Sequence, residues 1–325
     1  MNKEKIISVE NLSKHFINGG IGTKGKSKVY ALNNINLDIY SSETLALVGE
    51  SGCGKTTLGR TILGLIDPTE GDVKYRGRSI FNGSNRAKKG IKRNMQMIFQ
   101  DPYSSLNPKM TVKRLVEEPL LSYKLFSSKK ERLDRVIELL TSVGLSEEHM
   151  DRYPSQFSGG QRQRIGIARA IALNPEFIVC DEPVSALDVS IQAQILNLLG
   201  KLQKNKNLSY LFISHDLGVV RYIADRVCIM FLGMLCEVGD VELIYENPKH
   251  PYTKYLIDSV PKMDLESRNK PKQLLGGEIP SPMIKPEGCR FYSRCPYKQE
   301  ICKKKFPEGK LIHGRLVYCN FPLLG

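Results

Sequence analysis

Hydrophobic positions in this chain fall into short solid runs separated by segments of helical spacing. "TLALVGE" (44–50) reads as a buried strand, and 55–66 continues as the helix it feeds. The stretch 101–174 is predicted to be mostly helical, with Leu133, Val136, Ile137, Leu140 and Val143 recurring at helical intervals. "FIVCD" (177–181) has the all-apolar character of a strand covered on both faces of a parallel sheet. A helix over 189–204 and a third strand, "YLFISH" (210–215), follow. "RVCIMFLGMLCEVG" (226–239) predicts a hairpin turning near Leu232-Gly233. Strand–helix alternation interrupted by a helical block implies an α/β domain with a helical insertion. Beyond about residue 240 proline, lysine and cysteine rise and periodicity fades, which places a domain boundary there.

Composition narrows this picture. The chain has 325 residues, 41% hydrophobic and 25% charged, enough for one large domain with an appendix or for two domains, and too apolar for wholesale disorder. No window reaches 18 consecutive apolar residues, and "MNKEKIISVE" lacks the apolar core of a secretory signal. The expectation is a cytosolic protein whose contact with a membrane comes through partners. The net charge of +14 raises nucleic acid or anionic lipid as partners, and residues 74–93 hold eight basic side chains and no acid. Such a run is more often a solvated face than a binding site, with attraction to an anionic membrane surface a secondary reading.

The chemistry concentrates in two places. Gly49-Glu50-Ser51-Gly52-Cys53-Gly54-Lys55-Thr56 fits G-x-x-x-x-G-K-[ST] between a predicted strand and a predicted helix. Glycines let the backbone curl so that successive N–H groups face phosphate oxygens, and the helix adds the positive end of its dipole. Lys55 is placed to reach the outer phosphates and Thr56 to ligate Mg²⁺. "FIVCDEP" ends a strand on Asp181, to hold the metal, and Glu182, to orient and activate water. Cys53 sits in the loop beside a helix N-terminus and Lys55, which predicts a lowered thiol pKa and reactivity toward alkylating agents. A small side chain filling the loop is the competing reading.

"FSGGQRQRIGIARA" (157–170) resembles the signature sequence of ABC-type ATPases. With Gln100 in "MIFQDP", "SALD" (185–188) and His215 in "FISHD", the motifs stand in that family's order over about residues 6–240. The resemblance implies a P-loop NTPase (RecA-like) α/β core with an antiparallel β subdomain and a helical subdomain over about 101–174. It implies ATP and Mg²⁺ held by Gly49, Ser51, Gly52, Cys53, Gly54, Lys55, Thr56 and Thr57, with Thr56, Gln100 and Asp181 around the metal. Glu182, His215 and Gln100 take catalytic roles, Gln100 also linking to the helical insertion. Phe16 matches the position of the aromatic that stacks on adenine, with Tyr30 the weaker candidate. Ser158, Gly159, Gly160 and Gln161 cover the nucleotide of a second subunit in a head-to-tail dimer, and Asp188 communicates across the interface. Phe157 stands where many members have leucine.

"QDPYSSLNPKMTV" (100–112), "CDEPVSALDVSIQAQILNLL" (180–199) and "HPYTKYLIDSVP" (250–261) resemble dipeptide/oligopeptide importer ATPases, of the F type rather than its D-type partner. That branch implies a D–F ATPase heterodimer on the cytoplasmic face of the membrane, two permease subunits and an extracytoplasmic binding protein, without nucleic acid. Nickel and metallophore importers share the branch and remain an alternative; a soluble ABC ATPase acting on nucleic acid is a remote one. Residues 1–240 are then the nucleotide-binding domain and 241–325 a C-terminal transporter extension. In that extension Cys289, Cys295, Cys302 and Cys319 follow Cys-x5-Cys-x6-Cys-x16-Cys, unlike a zinc ribbon. Four thiolates suit zinc or a [4Fe–4S] cluster, and four buried free thiols are the plain alternative. The resemblance favours the cluster.

Overall fold

A computed structural model describes residues 4–18, 27–260 and 280–324. The chain divides into two compact units with interleaved segments: residues 1–7, 39–43 and 75–213, and residues 8–38, 44–74 and 214–325.

The first unit is built on three parallel strands. Met95–Ile98 pairs with Phe177–Asp181, from Met95 opposite Phe177 to Ile98 opposite Cys180, and Phe177–Asp181 pairs with Ser209–Ser214. All five residues of Phe177–Asp181 are buried, as its uninterrupted apolar run requires. Between the first two strands lies the helical block. Val112–Ser122 is capped by Thr111, and Lys129–Ser142 opens on a reciprocal Ser128–Glu131 capping box. The predicted stripe of the latter holds at Val136, Leu140 and Val143, joined by Leu139, while Leu133 and Ile137 are half-buried. The later part of the basic run forms a helix, Asn85–Asn94, with no buried residue, a solvated face, while Lys74 pairs with Glu10 and Arg76 with Glu4 and Glu176.

The second unit holds the other half of the α/β chemistry. Thr44–Val48 runs parallel to Arg226–Phe231, which turns back antiparallel into Met234–Asp240. The turn sits where the sequence puts it, with positive φ at Leu232 (42°) and Gly233 (79°), the backbone twist that tight hairpins favour. Residues beyond 240 extend the sheet: Arg315–Val317 pairs with Met234–Asp240, and Lys310–Ile312 pairs with Arg315–Val317. A further sheet places Lys5–Asn18 between Ser27–Tyr40 and Glu70–Tyr75. Alternate burial of Ile35, Leu37 and Ile39 gives the second of these strands one covered face. The core of the unit joins Val48, Ile229 and Phe231 to Tyr252 and Phe291, so residues C-terminal to 240 pack on the strands flanking the phosphate loop.

Candidate nucleotide site and the thiol cavity

The phosphate loop has the form its glycines permit. Gly52 (φ 76°) and Gly54 (φ 105°) are left-handed, and Gly54 opens the helix Lys55–Ile62. A Cβ on Gly49 would lie 2.1 Å from the Met230 carbonyl oxygen, so no larger residue fits there. Lys55 folds over the loop and donates from Nζ to the carbonyls of Gly49 (2.8 Å) and Glu50 (3.0 Å). Its ammonium is thereby held over the turn while Ser51 and Gly52 stay exposed. Thr56 and Thr57 are half-buried on the first turn of the helix.

Cys53 corrects one expectation. The thiol is buried, and burial pushes its pKa up; Lys55, with Nζ 3.9 Å from Sγ, pulls down by less. The reading as a small side chain filling the loop therefore holds over the reactive thiolate. Alkylation of Cys53 by iodoacetamide, followed by peptide mapping, should keep accelerating as pH rises past about 9, because the thiolate fraction grows until the raised pKa is passed. A plateau below about pH 8 would overturn this.

On the same unit, Phe16 is half-exposed with Lys14 Nζ 5.1 Å from its ring centroid. Tyr30 is tied down instead: its ring packs on His15 at 4.7 Å and its N–H donates to the Pro282 carbonyl at 2.9 Å. The loop that the sequence places after Phe16 lies largely outside the described residues. His215 is exposed, next to Asp216, which caps Leu217–Ile223 through the N–H groups of Gly218 and Val219.

In the first unit the structure brings Gln100 and Glu182 together, with Gln100 Nε2 donating to Glu182 Oε2 at 3.1 Å. Asp181 is buried at the end of its strand. Glu182 takes a left-handed backbone (φ 45°) while its N–H donates to the Ile213 carbonyl at 3.0 Å. Such a conformation costs a non-glycine residue on the order of 1 kcal/mol and is retained where a side chain must be aimed. Ser158 caps Gly159–Ile171 in a reciprocal box with Gln161 and is itself exposed. A Cβ on Gly160 would meet Ile191 Cγ2 at 2.5 Å, which explains the glycine by packing. Asp188 caps Val189–Lys206, accepting from Ile191 N–H and Ser190 Oγ, and these hydrogen bonds hold its carboxyl pKa down.

Cys289, Cys295, Cys302 and Cys319 all line one small cavity of about 20 Å³, together with His250 and Phe291. Burial raises the pKa of Cys289, Cys295 and Cys319, and the neighbouring cysteines reinforce the shift. Yet among the described residues no group of three or more His, Cys, Asp or Glu side chains is placed to hold a metal ion. The thiols therefore share one space without forming a closed ligand set, for zinc or for a cluster.

One connection escaped sequence reading altogether. Glu50, in the phosphate loop, accepts from Arg294 Nη1 at 3.1 and 3.2 Å, while its own N–H donates to Tyr252 Oη at 3.1 Å.

The fold and loop geometry define a P-loop ATPase cassette, and comparison with known proteins gives its branch. Residues 32–185 match the family described as ABC transporter, and 236–302 match the oligopeptide/dipeptide transporter C-terminal region. The chain is 48% identical over 98% of its length to the putative oligopeptide transport ATP-binding protein YkfD of Bacillus subtilis, covering 96% of that protein. It is 44% identical to the di/tripeptide transport ATP-binding protein DppF of Pseudomonas aeruginosa, over 98% of each chain. Among solved structures it is similar to a post-hydrolysis dimer of the ATP-binding cassette MJ0796 bound to ADP and Pi. The TM-score is 0.64 at 32% identity, covering 72% of this chain and 98% of that one. The chain belongs to the oligopeptide/dipeptide transporter branch of the ABC transporter ATP-binding proteins. No helix among the described residues is long and apolar enough to cross a membrane.

Proposed function

We propose that this chain is the ATP-hydrolysing subunit of a peptide importer, acting on the cytoplasmic face of the membrane. The observation that carries the reading is the phosphate loop, with two left-handed glycines and Lys55 folded over the turn, in a chain aligned almost end to end with peptide transport ATP-binding proteins. Those relatives favour peptide over nickel, and over the nucleic-acid alternative.

Backbone N–H groups of residues 51–56 and the helix N-terminus receive the β- and γ-phosphates of ATP, and Lys55 neutralises them. Mg²⁺ would be held by Thr56, Gln100 and Asp181, all oxygen donors suited to a hard cation, and would supply charge neutralisation on the phosphates. Glu182, aimed by its left-handed backbone and bonded to Gln100, takes a proton from water as the water oxygen attacks the γ-phosphorus. The bond from that phosphorus to the ADP oxygen breaks, and ADP and phosphate leave. His215 contacts the γ-phosphate, and Phe16 stacks on adenine. The capped edge Ser158–Gln161 closes over the nucleotide of a second, D-type subunit, consistent with the dimeric form of the MJ0796 cassette. Energy enters as preferential binding of ATP to the closed pair, which two permeases, fed by an extracytoplasmic binding protein, convert into transport. Reconstituting the full assembly in vesicles tests this: oligopeptide with the binding protein should stimulate hydrolysis, and stimulation by chelated nickel alone would overturn it.

We also propose the four-thiol cavity as a [4Fe–4S] site. What supports it is the convergence of all four cysteines on one space. A cluster spreads its thiolates over four irons and so spaces them more widely than a single ion does. It would act as a structural staple there. Anaerobic purification should give a brown protein with about four irons per chain; iron-free protein of normal stability would remove the cluster.

A further inference from the structure

We infer that the C-terminal extension is part of the nucleotide site, with Arg294 acting as a positioning residue that neutralises Glu50 and fixes the phosphate loop for ATP. The inference rests on the assignment of the triphosphate to that loop. Glu50 occupies the first variable position of the G-x-x-x-x-G-K-T stretch, adjoining the backbone that wraps the phosphates. An uncompensated carboxylate there would repel a triphosphate, and at short range in a partly desolvated site that repulsion is substantial. Arg294 removes it. Its side chain is 9% exposed and that of Glu50 26%, so the pair is largely shielded from solvent screening.

Beyond Glu50, the guanidinium has one aromatic neighbour. It lies 5.9 Å from the ring centroid of Tyr255 and follows Tyr292 in a 3-10 turn that ends on Cys295. Three rings, Phe231, Tyr252 and Phe291, pack together nearby with centroids 4.7 to 5.4 Å apart. Phe231 belongs to the strand whose Met230 carbonyl abuts Gly49, and Tyr252 Oη accepts the Glu50 N–H. The extension thus grips the loop residue by its side chain and by its backbone. Arg294 sits one residue before Cys295, which lines the thiol cavity.

The test uses the full-length chain and the assembled importer, with a fluorescent ATP analogue for affinity and phosphate release for kinetics. Arg294→Met keeps the stem and removes the charge. It should raise the ATP Kd and KM about five-fold with kcat within about two-fold, a change equal to about 1 kcal/mol of binding. The penalty should shrink at about 0.5 M salt, and Arg294→Lys should restore most of the affinity. In a Glu50→Gln background, Arg294→Met should have little further effect, because no carboxylate is left to neutralise. An unchanged KM in Arg294→Met overturns the inference. So does an equal rise in the Glu50→Gln background, or an Arg294→Lys variant as impaired as Arg294→Met. Undiminished nucleotide binding by Lys55→Ala would instead overturn the loop assignment itself, whatever Arg294 does.

Discussion

Glu182→Gln binds ATP as the wild-type chain does and hydrolyses it at least about a hundredfold more slowly. The exchange is isosteric. The introduced amide can still accept the Gln100 Nε2 hydrogen bond through its oxygen, so the left-handed segment and its bond to Ile213 are kept. What disappears is the negative charge, and with it the capacity to take a proton from attacking water. Binding and chemistry should therefore separate: nucleotide titration unchanged, phosphate release in a single turnover nearly abolished. Hydrolysis within about tenfold of wild type would take Glu182 out of the role.

The second large effect is expected at Ser158. Ser158→Arg in the assembled importer should lower hydrolysis by about 100-fold or more, the scale of misplacing reacting groups when added bulk and charge keep this edge from closing. Peptide uptake should fall with it, while ATP binding by the isolated chain persists. Part of the damage is local, since the helix Gly159–Ile171 loses its cap, worth about 1 kcal/mol. Ser158→Ala separates the two contributions because it removes the cap without adding bulk or charge; it should retain far more activity. Intact hydrolysis and uptake in Ser158→Arg would mean that this edge never closes on a neighbour's nucleotide.

The elements that could be read in the sequence were those with a purely local cause. Val48 leads into Gly49 because an apolar run must end where the chain curls, and the hairpin at Leu232-Gly233 follows from two strands separated by a turn pair. The helical stripe of 129–142 was legible for the same reason, and slipped only at its half-buried edges, Leu133 and Ile137. Local signals failed where tertiary burial decides the outcome. The neighbours of Cys53 in sequence argue for a thiolate, but burial desolvates the sulfur and reverses the direction. Asp188 and Gln161 were read as interface groups, while their hydrogen bonds show each also serving as a helix-end partner. The left-handed backbone of Glu182 carries no composition signal, because glutamate is not a residue that favours it. Arg294 and Glu50 are 244 positions apart, and nothing in single-sequence periodicity links them. The strands of the extension, at three residues each, are too short to show alternation.

Those two short strands carry a practical consequence. Arg315–Val317 covers the hydrogen-bonding flank of Met234–Asp240, and Arg315 lies over the buried carboxylate of Glu237, with Nη1 3.7 Å from Oε1. A chimera that kept this cassette but ended at Asp240 would bare a ladder of amides and carbonyls to other chains in the cell, and would strand an acid in an apolar setting. Exchange of substrate-specific assemblies between relatives should therefore carry the cassette and everything C-terminal to it as one inherited block.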